Sequence, residues 1–207
     1  MRFADFVREQ VPAGGRVLEI GCGDGVLARE LDAAGYDVLA VDPIAPEGAI
    51  FRRVTLAALD EPGPFDAAVA AFSLHHVHEL DAALDQVAEL LAPGGVVCVD
   101  EFAPERLDEA TADWYYGQLR ALGASRGSGV PASLGVLRAE WAAEHEGLHG
   151  YDRIRPALDA RFSQRTFSWE PHLHRYLDAV SGDALERALI DADAIQAIGY
   201  RYAGALR

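Results

Sequence analysis

A chain of 207 residues that is 50% hydrophobic is long enough to bury one sizeable α/β core, and no apolar run reaches the roughly 18 residues of a membrane span. Its 33 acidic against 18 basic residues give a formal net charge of −15, which repels a polyanion over most of the surface and argues against nucleic acid as a partner. The opening Met1-Arg2-Phe3-Ala4-Asp5 lacks the basic-then-apolar order of a signal peptide, and Cys22 and Cys98 have neither metal-ligand nor disulfide spacing. The expectation is a cytoplasmic protein with no membrane partner and no metal.

The elements follow in an alternating order. Residues 3–11 carry Phe3, Phe6, Val7 and Val11 at helical spacing and end at Pro12 and Gly14-Gly15. Strands are predicted at 16–20, 37–41, 50–55, 66–71 and 95–100. Helices lie between them at 26–34 and 79–91, the second with Leu80, Leu84, Val87 and Leu91 on one face. Pro93-Gly94-Gly95 turns the chain into the fifth strand. Strand and helix in this rhythm mark a parallel sheet covered by helices.

After residue 102 the texture becomes helical and aromatic. Residues 103–150 read as a helical insertion holding Trp114-Tyr115-Tyr116 and Trp141, interrupted by a flexible stretch from Gly123 to Gly129. Two late strands are predicted at about 161–169 and 199–206, separated by helical segments near 171–180 and 183–192.

The chemistry is concentrated in Val17-Leu18-Glu19-Ile20-Gly21-Cys22-Gly23-Asp24-Gly25, an apolar strand entering a loop with glycine at every second position. Such a loop lets a ligand approach the backbone with no Cβ in the way. A dinucleotide site would place its third glycine where this chain has Val26, and a Tyr-x-x-x-Lys pair is impossible because the sequence contains no lysine. A nicotinamide-dependent oxidoreductase is therefore the weaker reading. Asp42, ending the second strand, is placed to accept hydrogen bonds from the ribose hydroxyls of a nucleoside.

Taken with Val41-Asp42-Pro43, Phe65-Asp66-Ala67-Ala68-Val69, Leu74-His75-His76 and Leu91-Ala92-Pro93-Gly94-Gly95, the glycine loop resembles the successive motifs of the class I methyltransferases, over residues 15–102 and in the right order. The resemblance implies a Rossmann-like α/β fold: a seven-stranded, mainly parallel sheet with helices on both faces and an antiparallel last strand. It implies S-adenosyl-L-methionine as cofactor. Gly21, Cys22 and Gly23 would cradle its methionine part, with Glu19 near the ammonium group. Asp42 would hold the ribose and Pro43 would pack on the adenine. The family often has an acidic residue after the third strand to read the adenine amino group. Here Thr55, Leu56 and Ala57 stand instead, so the resemblance does not supply that acceptor, and a backbone amide at Leu56 or Ala57 would read the adenine ring in its place. Ala71 and Phe72 would border the reacting methyl.

The organisation expected is a single methyltransferase domain over 1–207. Residues 1–102 form its cofactor-binding half, 103–150 a helical lid insertion, and 151–207 the last strands with a further lid segment at 170–192. A lid of this size suits a small-molecule acceptor. A rival from another class is a cofactor-binding protein that transfers no methyl group. If the acceptor is a hydroxyl or protonated amine, a base must remove its proton, and histidine serves near neutral pH. His76, His172 and His174 are the candidates. His75 and His76 have either a structural or a catalytic role, and His172 and His174 cannot both point inward, because alternate residues of a helix do not share a face. Glu101, just past the fifth strand, is either a second base or a cap for a helix start. Trp114, Tyr115 and Tyr116 are either pocket lining or core.

Overall fold

The computed structural model describes residues 1–122, 129–177 and 182–207. In chain order they form α1 (Phe3–Gln10), β1 (Arg16–Ile20), α2 (Val26–Ala33), β2 (Asp37–Val41), β3 (Phe51–Arg52), β4 (Phe65–Ala71), α3 (Leu80–Leu90), β5 (Leu91–Phe102), α4 (Glu109–Leu122), α5 (Leu134–Glu144), α6 (Tyr151–Arg161), β6 (Phe162–Glu170), α7 (Gly182–Asp191) and β7 (Gly199–Leu206). Short 3-10 turns lie at Leu56–Ala58, Leu74–His76, Pro104–Arg106 and Leu173–Tyr176.

The strands make one sheet in the order β3-β2-β1-β4-β5-β7-β6. β1 pairs in parallel with β2 on one side and β4 on the other, so that Glu19 lies opposite both Ala40 and Val69. The chain therefore reverses its direction of travel across the sheet at β1 and β4, and open α/β sheets bind ligands beyond the carboxyl ends of the strands at such a point. β4 and β5 are also parallel. β7 runs against its neighbours: Ala103 N–H, past the end of β5, donates to Ile198 O before β7 begins, and Arg207 N–H, past the end of β7, donates to Arg161 O before β6 begins. The mixed sheet agrees with the expected fold class.

Two compact units make up the chain. The first comprises Met1–Glu101, Asp152–Phe167 and Arg201–Arg207. Its central strands are buried on both faces, which is why β1, β2 and β4 read as near-continuous apolar runs. From α3, Leu80, Leu84 and Val87 enter the core at helical spacing, each contributing about 1.5–3 kcal/mol of apolar burial. Arg201 of β7 is buried against Asp100 of β5 at 3.3 Å and also donates to Met1 O at 2.8 Å. That pairing keeps two charges tolerable inside the sheet.

The second unit comprises Phe102–Tyr151 and Ser168–Tyr200. Ser133 caps α5 by accepting from Val136 N–H at 3.2 Å, and Asp108 does the same for α4 through Thr111 N–H at 2.8 Å. Aromatic rings fill its interior. Tyr115, Trp141 and Tyr176 meet one another with centroids 5.8–6.4 Å apart, and Phe102 lies flat on the His172 ring at 4.7 Å. Tyr115 belongs to this core, and burial raises its hydroxyl pKa.

Two expectations are corrected and one helix is added. The strand predicted at 50–55 shrinks to Phe51–Arg52. The helix predicted near 171–180 is, in its described part, a 3-10 turn at Leu173–Tyr176. Residues 151–161 form α6, burying Ile154, Ala157 and Leu158, although Pro156 inside the segment argues against a helix. The flexible stretch expected from Gly123 to Gly129 falls, up to residue 128, outside the described residues.

Candidate active site

The loop after β1 is held from below by β2. Gly21 N–H and Cys22 N–H both donate to Val41 O, at 2.8 and 3.1 Å. Gly21 has φ +71°, and a Cβ there would fall 2.3 Å from the Cβ of Ser73. Ser73 occupies that space in order to donate its hydroxyl to Ile20 O at 2.6 Å, which ties the end of β1 to the end of β4. Glycine is required by this close approach. Gly23 also has positive φ, +51°, but the space beside its Cα is open.

Asp42 braces the same loop. One carboxylate oxygen accepts from Gly23 N–H at 3.0 Å and the other from Ile44 N–H at 2.8 Å. A carboxylate has about four acceptor positions, so two remain. Pro43 and Ile44 follow on the surface, Ile44 being 79% exposed.

Glu19 is 2% exposed, and its Oε2 has no hydrogen-bond partner. Burial, reinforced by the carboxylates of Asp24 and Asp42, pushes its pKa up to about 8. A buried acid with one oxygen unsatisfied is a costly arrangement. Burial and the same acidic surroundings, Glu19 and Asp42, push the Cys22 thiol up to about 12, so it is no nucleophile at neutral pH.

At the end of β4, Ala71 and Phe72 are half-buried. Phe72 has φ +52°, a left-handed conformation that a bulky side chain adopts only under constraint. Its N–H donates to Asp100 O at 2.8 Å. In the 3-10 turn that follows, buried Glu101 accepts from Leu74 N–H at 2.7 Å and His75 N–H at 3.3 Å, and pairs with His75 Nδ1 at 2.8 Å. Of the two roles open to Glu101, the geometry gives the cap. His75 is buried with it, whereas His76 is exposed. Partial burial and the adjacent His75 ring lower the pKa of His76.

Thr55 and Ala57 are exposed and Leu56 is buried on the turn after β3. The turn's own bonds come from Ala58 and Leu59 N–H, and the Leu56 carbonyl accepts from Gln86 at 2.8 Å. The amides of Leu56 and Ala57 are the leading N–H groups of the turn, the kind that a turn's internal bonds leave over.

In the second unit His172 and His174 diverge. The His172 ring is 3% exposed, stacked on Phe102, with Nε2 3.3 Å from the Tyr176 hydroxyl. The His174 side chain is 25% exposed, with Nδ1 3.0 Å from Glu186 Oε2. Ser73 and Glu186 were not among the residues singled out in the sequence. Each acts on a partner distant along the chain, and neither lies in a motif.

A model for the family described as "Methyltransferase domain" matches residues 2–127. A ubiquinone biosynthesis O-methyltransferase of Xylella fastidiosa is 32% identical over 200 residues, covering 86% of this chain and 68% of that relative. Among solved structures, an S-adenosylmethionine-dependent methyltransferase of Mesorhizobium loti has the same fold at 16% identity and a TM-score of 0.60, covering 97% of this chain and 96% of that one. So does the 1,6-didemethyltoxoflavin-N1-methyltransferase of Burkholderia thailandensis, solved with S-adenosylhomocysteine, at 16% identity, TM-score 0.61, and coverage of 99% and 76%. The family match falls on the strands and glycine loop described above, and the chain belongs to the class I S-adenosylmethionine-dependent methyltransferases.

Proposed function

We propose that the chain methylates a hydroxyl group, a phenol in the first instance, of a small molecule. In this reading Glu19, Gly21, Cys22, Gly23, Asp42 and Pro43 hold S-adenosylmethionine, and His174 removes the acceptor's proton. The observation that carries the cofactor assignment is the unsatisfied, buried oxygen of Glu19 below a glycine loop that leaves open space at Gly23. An ammonium group would complete that carboxylate, and the two remaining acceptor positions of Asp42 suit a ribose diol. Pro43 and exposed Ile44 offer an apolar face to the adenine, and the amides of Leu56 and Ala57 offer donors to its ring. When bound, the sulfonium supplies a methyl group that is already activated, so the protein's tasks are to orient the acceptor and accept its proton.

Oxygen as the acceptor atom is supported by the Xylella relative, which is named an O-methyltransferase. His174 is favoured over His172 because its ring is partly exposed, whereas that of His172 is packed flat on Phe102. It is favoured over His76 because its Nδ1 is fixed by a carboxylate. The test is incubation with S-adenosylmethionine and a panel including 4-hydroxybenzoate, 3,4-dihydroxybenzoate, small amines and carboxylic acids. Formation of S-adenosylhomocysteine together with a methylated phenol supports the proposal. Cofactor binding with no S-adenosylhomocysteine from any acceptor would move the chain to the non-methylating class.

Asp42→Ala should weaken cofactor binding by about 1.5–3 kcal/mol, through loss of two charge-assisted bonds and of the brace on Gly23. Calorimetry on the folded variant measures this. Unchanged affinity would remove Asp42 from the ribose.

A further inference from the structure

Buried glutamates are rare and need a reason, and Glu186 in α7 is fully buried. Three backbone donors and one imidazole nitrogen converge on its carboxylate. Oε1 accepts from His172 N–H at 2.7 Å and Leu173 N–H at 2.9 Å, and Oε2 accepts from His174 N–H at 2.9 Å and lies 3.0 Å from His174 Nδ1. The first three are the leading amides of the 3-10 turn Leu173–Tyr176 and its flank.

The hydrogen-bond inventory then fixes the tautomer. A carboxylate offers about four acceptor positions and no donor, and three of the four are taken by backbone N–H groups. The group facing Nδ1 is an acceptor, so Nδ1 carries the proton and, in the neutral ring, Nε2 holds the lone pair.

A second copy of the device shows what distinguishes this one. Glu101 caps the turn Leu74–His76 in the same manner and engages His75 Nδ1, but there the imidazole is 7% exposed. Capping alone explains that pair. His174, held in the same way, keeps a quarter of its side chain exposed.

We infer that Glu186 is a positioning residue that holds His174 in its Nδ1–H form with Nε2 available as the proton acceptor. The inference rests on the reading of His174 as the base. A carboxylate behind the ring also favours the imidazolium that forms when Nε2 takes the acceptor's proton, without itself becoming protonated.

The test combines a tautomer measurement with a double-mutant cycle. In the wild-type protein, nitrogen NMR of the His174 ring above its titration should show the Nδ1–H form, and a predominant Nε2–H form would overturn the inference. With S-adenosylmethionine and 3,4-dihydroxybenzoate, Glu186→Gln should lower turnover by more than about tenfold, because a glutamine can turn an amide N–H toward Nδ1 and reverse the tautomer. Glu186→Asp should recover part of the loss. In His174→Leu the further change Glu186→Gln should cost nothing more in turnover, since its effect passes through the missing ring. An added loss there would make Glu186 a structural cap and overturn the inference. Normal turnover in His174→Leu would instead overturn the reading on which it rests. If Glu186→Gln fails to fold by circular dichroism, the wild-type tautomer decides.

Discussion

Substituting leucine for His174 should lower turnover by about 10²–10⁴-fold, the range for losing a positioned general base. Affinity for S-adenosylmethionine should stay within about 0.5 kcal/mol of wild type, the usual range for a residue away from the ligand. His172→Phe is the informative contrast. It keeps a flat ring on Phe102 and loses the 3.3 Å contact with the Tyr176 hydroxyl, so its effect should fall on stability. Tyr115→Phe should likewise leave turnover within a few-fold, because the ring is core. Steady-state kinetics paired with calorimetry separates the cases: a lost base lowers kcat, and a lost packing contact raises the acceptor KM. Normal turnover in His174→Leu with a collapse in His172→Phe would transfer the base to His172.

Binding of the cofactor at pH 7 should expel a proton from Glu19. With its pKa near 8 the side chain carries that proton in the free protein at neutral pH, and an ammonium group beside it favours the ionised form. Affinity should therefore fall as pH drops below about 8, by up to tenfold per unit. Calorimetry in buffers of different ionisation enthalpy measures the release directly. The sign for stability is opposite. A carboxyl whose folded pKa is raised from 4.5 to about 8 contributes stability fully present below pH 4.5 and lost as pH rises through 8. The loss is on the order of a few kcal/mol. Glu19→Gln should therefore stabilise the free protein at pH 8, flatten its unfolding profile between pH 5 and 8, and abolish proton release while weakening the cofactor more than about tenfold. Proton-neutral binding by the wild type at pH 7 would detach Glu19 from the ammonium group.

How much was legible depended on sequence distance. β1 and β2 were readable to the residue because each is a short apolar run bounded by glycine, proline or charge, and Leu80, Leu84 and Val87 declare their helix face locally. The positive φ of Gly21 follows from the same local logic. Its close approach to Ser73 does not, since the partner lies on another strand. The turn at Leu173–Tyr176 read as a longer helix because aromatic and histidine residues carry no stop signal, and its cap, Glu186, comes from the next helix. α6 was not among the predicted elements; Pro156 weighs against a helix there, and burial of Ile154 and Leu158 outweighs it. The histidines showed the same limit. Which of them is packed and which is presented was decided by Phe102 and Glu186, residues outside every motif.

The left-handed backbone at Phe72 bears on how this scaffold can be engineered. A thermostability programme that scores each site by conformational preference would replace Phe72 by glycine or asparagine, because a bulky side chain at φ +52° costs on the order of 1–3 kcal/mol. The aromatic ring would go with that strain, and with it a side chain that the family resemblance would set beside the methyl donor at the carboxyl end of β4. Position 72 is therefore one to hold fixed in directed evolution, with stabilising changes sought on the solvent faces of α3 and α6 instead.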